Sequence, residues 1–266
     1  MSDFRLIAPS PLLAPYVKHY WVLHTEAGAG FSERVTPTGH IQLLFYSGGA
    51  IHSRQGSWQH ISLLSGHTTT YTDLSGEEQV RILSVVFKPW GARAFFRFPL
   101  NEVAGKHATA EELSDGPFRE LEKYVTSQPD EAKCVCMIEA FLLRRFQGGK
   151  PYTYQRMTEA VRLIDRTGGE VSLTDLAEVT CLSQKQFQRV FTDQIGIRPK
   201  EFLRTVRFQY TLSRMNVPME VDFTRLACEC GYYDQSHLIR EFRQFSGYTP
   251  KEYIQVRAPY SDYFQS

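Results

Sequence analysis

The sequence is short of most features that would declare a chemistry. It holds five cysteines in 266 residues, an odd number, and four of them form two C-x-C pairs, Cys134 with Cys136 and Cys228 with Cys230. Neither count nor spacing suits a disulfide framework or a zinc ribbon. On a helix, residues i and i+2 face apart, so such a pair does not chelate by itself, and the cysteines read as small buried hydrophobes. No run approaches the roughly 18 apolar residues of a membrane span. The opening MSDFRLIAPS lacks the basic start and apolar run of a secretory leader. A cytoplasmic protein with no membrane partner is expected. An excess of one charge is missing too: 30 Lys and Arg stand against 29 Asp and Glu, so the chain as a whole advertises neither a nucleic acid nor a charged surface as partner. There is no G-x-S-x-G, P-loop or H-E-x-x-H. No catalytic residue and no cofactor is therefore assigned, and the chain is read as a non-enzyme.

What is present is a repeat. Gln184, Arg189, Phe191, Gly196, Pro199, Lys200 and Glu201 recur fifty-one positions later as Gln235, Arg240, Phe242, Gly247, Pro250, Lys251 and Glu252. Leu176-Ala177 recurs as Leu226-Ala227 one register short, so one copy carries a one-residue insertion in its turn. A fixed period with aligned turn and helix signals means two copies of one supersecondary unit. In the first copy Ser172 caps a run containing Leu173, Leu176, Ala177 and Val179, with Asp175 three residues past the cap. After Thr180-Cys181-Leu182, Ser183 caps a second helix whose Phe187, Val190 and Phe191 form an inward stripe. In the second copy Phe223, Leu226 and Ala227 give the first helix its apolar face. Gly231-Tyr232-Tyr233 forms the turn, Asp234 caps the second helix, and Leu238 and Phe242 point inward. Each unit is helix, turn, helix.

The outward residues point to double-stranded DNA. A helix in the major groove reads base edges with side chains near its N-terminal end. Arg suits guanine, Gln suits adenine, and an apolar group meets the thymine methyl. Gln188, Arg189, Gln235 and Arg240 have the polar chemistries and Ile239 the apolar one.

On these residues the chain resembles the AraC/XylS family of bacterial transcription regulators. The segments that carry the resemblance run from Leu173 to Phe202 and from Phe223 to Tyr253. The second is the more specific, through Ala227, Gly231, Tyr232, Gln235, Ser236, Arg240, Phe242, Gly247, Thr249, Pro250 and Tyr253. The resemblance implies one long helix joining the two units. Pro199 to Met215 suits it, with Phe202, Val206, Tyr210 and Met215 as its stripe and Asn216-Val217-Pro218 as its stop. It also implies base contacts from Lys185, Gln188 and Arg189 in the first unit and from Gln235, Ser236, His237, Ile239 and Arg240 in the second. Phosphate contacts fall to Lys200, Thr249 and Lys251. RNA polymerase is a further implied partner, and activation the implied outcome. Three departures stand out. Cys181-Leu182 replaces a usual Gly-apolar pair, Arg198 replaces Ser or Thr, and the stretch Arg240 to Gln244 is less basic than usual. Residues 151–266 carry 15 Lys and Arg against 14 Asp and Glu, a thin electrostatic footprint for a DNA binder.

The front half reads differently. Tyr16 to His24, Gly39 to Tyr46, His60 to Leu64 and Val80 to Phe87 are strand-length runs, broken at Ser47-Gly48-Gly49 and Ser75-Gly76. Helices are expected over Pro117–Val125 and Asp130–Phe146, the latter with a stripe of Val135, Ile138, Leu142 and Phe146. The expected fold class is therefore α+β: a β-rich, barrel-like first domain with helices over 1–147, a linker over 148–152, and an all-α domain of two helix-turn-helix units over 153–258. A front domain of this kind is similar to the cupin-like sensors of the same family, which bind a small-molecule effector, dimerise as a homodimer, or both. The segments Pro37 to Phe45, Phe87 to Gly91 and Pro99 to Glu102 carry that likeness. No effector contact is assigned; Trp21, Phe45, Tyr46, Phe87 and Trp90 suit either a pocket or a core. A cupin-type metal-dependent enzyme fused to a DNA-binding tail is the alternative. The H-x-H of such sites is missing, although His19, His24, His40, His52, His60 and His67 are available to converge.

Overall fold

The computed structural model describes residues 3–25, 30–54, 56–59, 61–148, 151–215 and 221–256. His60, the linker residues Gly149 and Lys150, and the expected helix stop Asn216-Val217-Pro218 lie outside them. The chain forms two compact units: one of Met1–Glu33, His40–His67 and Asp73–Gly149, the other of Arg34–Gly39, Thr68–Thr72 and Lys150–Ser266.

The first unit is β-rich. Strands β1 (Asp3–Ile7), β2 (Val17–His24), β9 (Val80–Phe87), β4 (Gln42–Gly48), β7 (Ile61–Ser65) and β10 (His107–Thr109) pair in that order into one sheet, antiparallel at every pairing. Strands β3 (Phe31–Val35), β8 (Thr72–Gly76), β5 (Ile51–Ser53) and β6 (Gly56–Trp58) form a second sheet. The central strands β9 and β4 are buried at nearly every position, and β2 from Tyr20 to Leu23, as strands covered on both faces must be. One face is fixed by register. Val22 lies opposite Leu83 and Leu83 opposite Phe45, and these three share a core with Leu43, Leu64 and Val85.

Two helices complete that core. Asp115 accepts a hydrogen bond from Phe118 N and starts α1 (Gly116–Ser127), and Asp130 accepts from Lys133 N to start α2 (Glu131–Arg145). Phe118, Leu121 and Val125 of α1 and Cys134, Ile138, Phe141 and Leu142 of α2 enter the sheet's core. The α2 stripe expected from sequence is thus shifted. Ile138 and Leu142 are inward, Val135 is half-buried, and Phe146 lies outside the helix and 41% exposed, against the rings of Tyr16 and Phe95. The stripe packs on the unit's own sheet. Phe45 and Phe87 belong to this core, whereas Trp21 and Tyr46 are buried on the opposite face of the sheet and Trp90 is half-buried, donating to Pro15 O.

The second unit is helical: α3 (Pro151–Arg166), α4 (Leu173–Val179), α5 (Gln184–Ile195), α6 (Pro199–Met215), α7 (Phe223–Glu229), α8 (Gln235–Ser246) and α9 (Pro250–Val256). The α6 bounds are those expected, but its buried face is not. Val206 is half-buried and Tyr210 is exposed, while Leu203, Thr205, Phe208, Thr211 and Leu212 are buried beside Phe202 and Met215. The reason is that both helix-turn-helix units pack on this one helix. Phe202 meets Phe191 of α5, and Phe208 meets Phe242 and Phe245 of α8. A helix serving two partners buries a broader surface than a single stripe.

Candidate nucleic-acid interface

The two units are built by the same local rules. Ser172 forms a capping box with Asp175, and Ser183 forms one with Gln186, each cap accepting from the N3 amide while the N3 side chain reaches back. In the second copy Asp222 accepts from the amides of Thr224 and Arg225, and Asp234 from that of His237 at 2.7 Å. The turns superimpose in their hydrogen bonds: Leu182 N donates to Ala177 O and Tyr232 N to Ala227 O, both at 2.9 Å. Each turn needs one left-handed residue. Gly231 supplies it at φ 70°, and Cys181 supplies it in the first copy at φ 52°, a conformation disfavoured for a residue with a Cβ. The unusual Cys181 therefore occupies the glycine position of its repeat. The extra residue of the second copy, Tyr233, projects from the turn 91% exposed.

These turns present α5 and α8 with one buried and one open face. Phe187, Phe191 and Ile195 are buried on α5, and Leu238, Phe242 and Phe245 on α8. Lys185, Gln188 and Arg189 are exposed on α5, as are Gln235, Ser236 and Arg240 on α8, with His237 and Ile239 half-buried. Among the described residues no side-chain hydrogen bond or ion pair engages Lys185, Gln188, Arg189, Ser236 or Arg240. Such long polar side chains, free at the N-terminal half of a helix, are available to base edges.

Two of the expected contacts have local duties as well. Gln235 Oε1 accepts from Thr224 Oγ1 at 3.2 Å, and its repeat partner Gln184 donates to Thr174 Oγ1 at 2.7 Å. Each Gln ties its second helix to the first. His237 Nδ1 accepts from Tyr233 N at 3.3 Å, and its ring lies edge-on to Tyr232. Of the phosphate set, Lys200 and Lys251 are exposed. Thr249 is half-buried and caps α9 in a reciprocal box with Glu252, whose carboxyl the bonds to Thr249 hold below its usual range.

In sequence Glu241 only makes this stretch less basic. The structure buries it at 5% exposure, with Arg204 Nε at 2.5 Å, Arg207 Nη1 at 3.9 Å and His237 Nε2 at 4.0 Å. Arg204 also donates to Gln244 and lies over the Phe245 ring, and Arg207 lies over the Tyr232 ring. This cluster bolts α8 to α6 and removes the acid from the open face, so the thin net charge of the region understates how basic that face is. The signal in sequence was the spacing of Glu241 from Leu238 and Phe245, which places it on the apolar side.

In the first unit, His19 is lowered to about 4 and His40 to about 3, chiefly by burial, with the charge of Lys18 adding to both. His40 Nδ1 lies 3.0 Å from Phe87 O, an acceptor, so the ring carries its proton there. His24 instead meets Glu131 at 2.8 Å. Among the described residues no three His, Cys, Asp or Glu side chains group as a metal set. Glu33 alternates with exposed Ser32 on β3 and turns inward. It is 9% exposed, its Oε2 has no hydrogen-bond partner among the described residues, and burial raises its carboxyl to about 7. Cys134 and Cys230 are buried and their thiols pushed up by burial, while Cys136, Cys181 and Cys228 are exposed. The reading of all five as buried hydrophobes thus holds for two. Among the described residues no helix is long and apolar enough to cross a membrane.

Comparison with known proteins divides along the same line. Residues 176–255 match a family described as a helix-turn-helix domain, and residues 5–109 match one described as a domain of unknown function, DUF6597. The chain is similar to the transcriptional regulator ArgR of Pseudomonas aeruginosa, at 25% identity over 38% of this chain and 30% of that protein. It is similar to the probable transcriptional regulator LumQ of Photobacterium leiognathi at 27% identity over 32% of this chain and 34% of that one. The chain thus spans about a third of the length of these curated relatives. Among solved structures it is similar to ToxT from Vibrio cholerae, at 11% identity and a TM-score of 0.46, covering 96% of this chain and 98% of that one.

Proposed function

We propose that this chain, whose residues 176–255 match a helix-turn-helix domain family and resemble the AraC type of regulator, binds double-stranded DNA sequence-specifically and regulates transcription. The observation that carries this is the doubling: Arg189 and Arg240 stand at equivalent exposed places on two helices built by equivalent caps and turns. In the proposed complex α5 and α8 enter successive major grooves on one face of the duplex, held apart by the rigid α6. Lys185, Gln188 and Arg189 read one half-site, and Gln235, Ser236, His237, Ile239 and Arg240 the other. Lys200, Thr249 and Lys251 hold phosphates and set the register.

The β-rich unit is proposed as the sensor, taking a small-molecule effector, forming a homodimer, or both. Its buried carboxyl Glu33, whose Oε2 has no hydrogen-bond partner among the described residues, supports that reading, because a polar group held in an apolar interior is what a recognition site requires. Activation through RNA polymerase is the proposed outcome, from the resemblance alone. The reading is tested by passing sheared genomic DNA over the immobilised full-length protein at moderate salt and sequencing what stays. One enriched pair of short half-sites supports it; sequence-independent retention, or none with and without cell extract, defeats it.

A further inference from the structure

The second unit contains two pieces of chain that its sequence position did not promise: Arg34–Gly39 and Thr68–Thr72 cluster with the helix-turn-helix residues. Within that unit the Arg34 guanidinium sits between two rings, 4.1 Å from the centre of Tyr71 and 4.4 Å from that of Tyr248. Its Nη1 donates to Ser246 O at 3.4 Å. Ser246 is the last residue of α8, and Gly247 turns the chain there at φ 77°. The cation thus meets the Ser246 carbonyl at the negative end of α8, with cation–π attraction on both sides. Two residues further on, Pro37 O accepts from Gln209 Nε2 of α6 at 2.5 Å. Gly39 then lies so close to α6 that a Cβ there would touch Phe202 and Thr205 at 3.9 and 3.7 Å. Residues 34–39 therefore grip both the helix that joins the two units and the far end of α8.

We propose that Arg34 is a positioning residue for DNA recognition, and that residues 34–39 are a strap that sets the pose of α8 against α6. The inference rests on the DNA-reading function proposed above. Arg34 acts through α8 and not on bases. Loosening it blurs reading of the half-site that Gln235, Ser236, Ile239 and Arg240 face and leaves the α5 half-site unaffected. The strap is covalently continuous with β3. Glu33, the last residue of the first unit along this strand, precedes Arg34 directly and alternates to the other side.

The experiment compares full-length wild type with Arg34→Ala, Arg34→Lys and Gln209→Ala in two measurements. The first needs no DNA: amide exchange over the last turn of α8. The strap predicts exchange roughly tenfold faster in Arg34→Ala, smaller acceleration in Arg34→Lys, which keeps the cation but loses the planar stacking, and an intermediate effect in Gln209→Ala. Unchanged exchange in all three overturns the strap, whatever the protein binds. The second uses the fragment that wild type selects, with each half-site scrambled in turn. Arg34→Ala should lose discrimination at the α8 half-site about tenfold and keep it at the α5 half-site. Equal discrimination at both, or equal loss at both, overturns the positioning role. A wild type that selects no fragment defeats the DNA-reading function instead, and is told apart by the exchange data. Should Arg34→Ala fail to fold, Arg34→Lys and Gln209→Ala carry both comparisons.

Discussion

Arg189 and Arg240 stand fifty-one residues apart in sequence and in equivalent settings, exposed on α5 and α8 with no side-chain partner among the described residues. Replacing either with Ala should cost about 1–3 kcal/mol of specific affinity and relax preference at one base pair. Replacing Lys200 or Lys251 should weaken binding on all sequences alike and reduce the salt slope by about 1 each. Titrations of the selected fragment at several salt concentrations separate the two behaviours. Glu33 makes a different prediction. Its carboxyl is raised from 4.5 to about 7 by burial, so the fold favours the protonated form. Its stabilising share is complete below pH 4.5 and is lost as pH rises through 7. Glu33→Gln should therefore match wild type near pH 5 and exceed it at pH 8 by up to about 3 kcal/mol. Thermal melting at the two pH values checks this, and parallel curves would mean that Glu33 is solvated or paired. His19 and His40 act in the opposite direction. Their lowered values make their share complete above pH 6.5 and lost as pH falls toward 4 and 3.

At the scale of elements, the caps were the most legible part of the chain. Ser172, Ser183 and Asp234 do what their residue types and spacing announce, because an N-cap is decided within four residues. The turns obey the same locality, and they make a paired prediction. Cys181→Gly should leave the first turn as stable or firmer, by up to about 1 kcal/mol, since it relieves a positive φ at a Cβ-bearing residue. Gly231→Ala should destabilise the second, where a new Cβ would also meet the Glu170 side chain at 3.0 Å. Chemical unfolding of both variants checks the contrast. Features set by distant chain were not legible. The spacing of Glu241 puts it on the apolar side of α8 but does not name its partners: Arg204 and Arg207 stand more than thirty residues earlier in the chain. Removing its charge with Glu241→Gln should cost about 3 kcal/mol, as for one partner of a buried pair. Short strands such as β1, with mostly exposed positions, and β6 carry too little alternation to be seen in sequence.

At the scale of the molecule, sequence foretold a β-rich unit and a doubled helical unit, because composition and repeat period are long-range signals that survive in one dimension. It did not foretell that residues 34–39 and 68–72 join the second unit. Nothing in a strand's own residues states which body its far end will serve. In the proposed complex α5 and α8 read one face of the duplex together, spaced by α6. The most direct test is the affinity of the full-length protein for its selected site and for the same site with half a helical turn inserted between the half-sites. The insertion should reduce affinity to that of a single half-site, since a rigid α6 cannot follow the rotated groove. Undiminished affinity would contradict it, because the two helices would then not be reading DNA as one rigid pair.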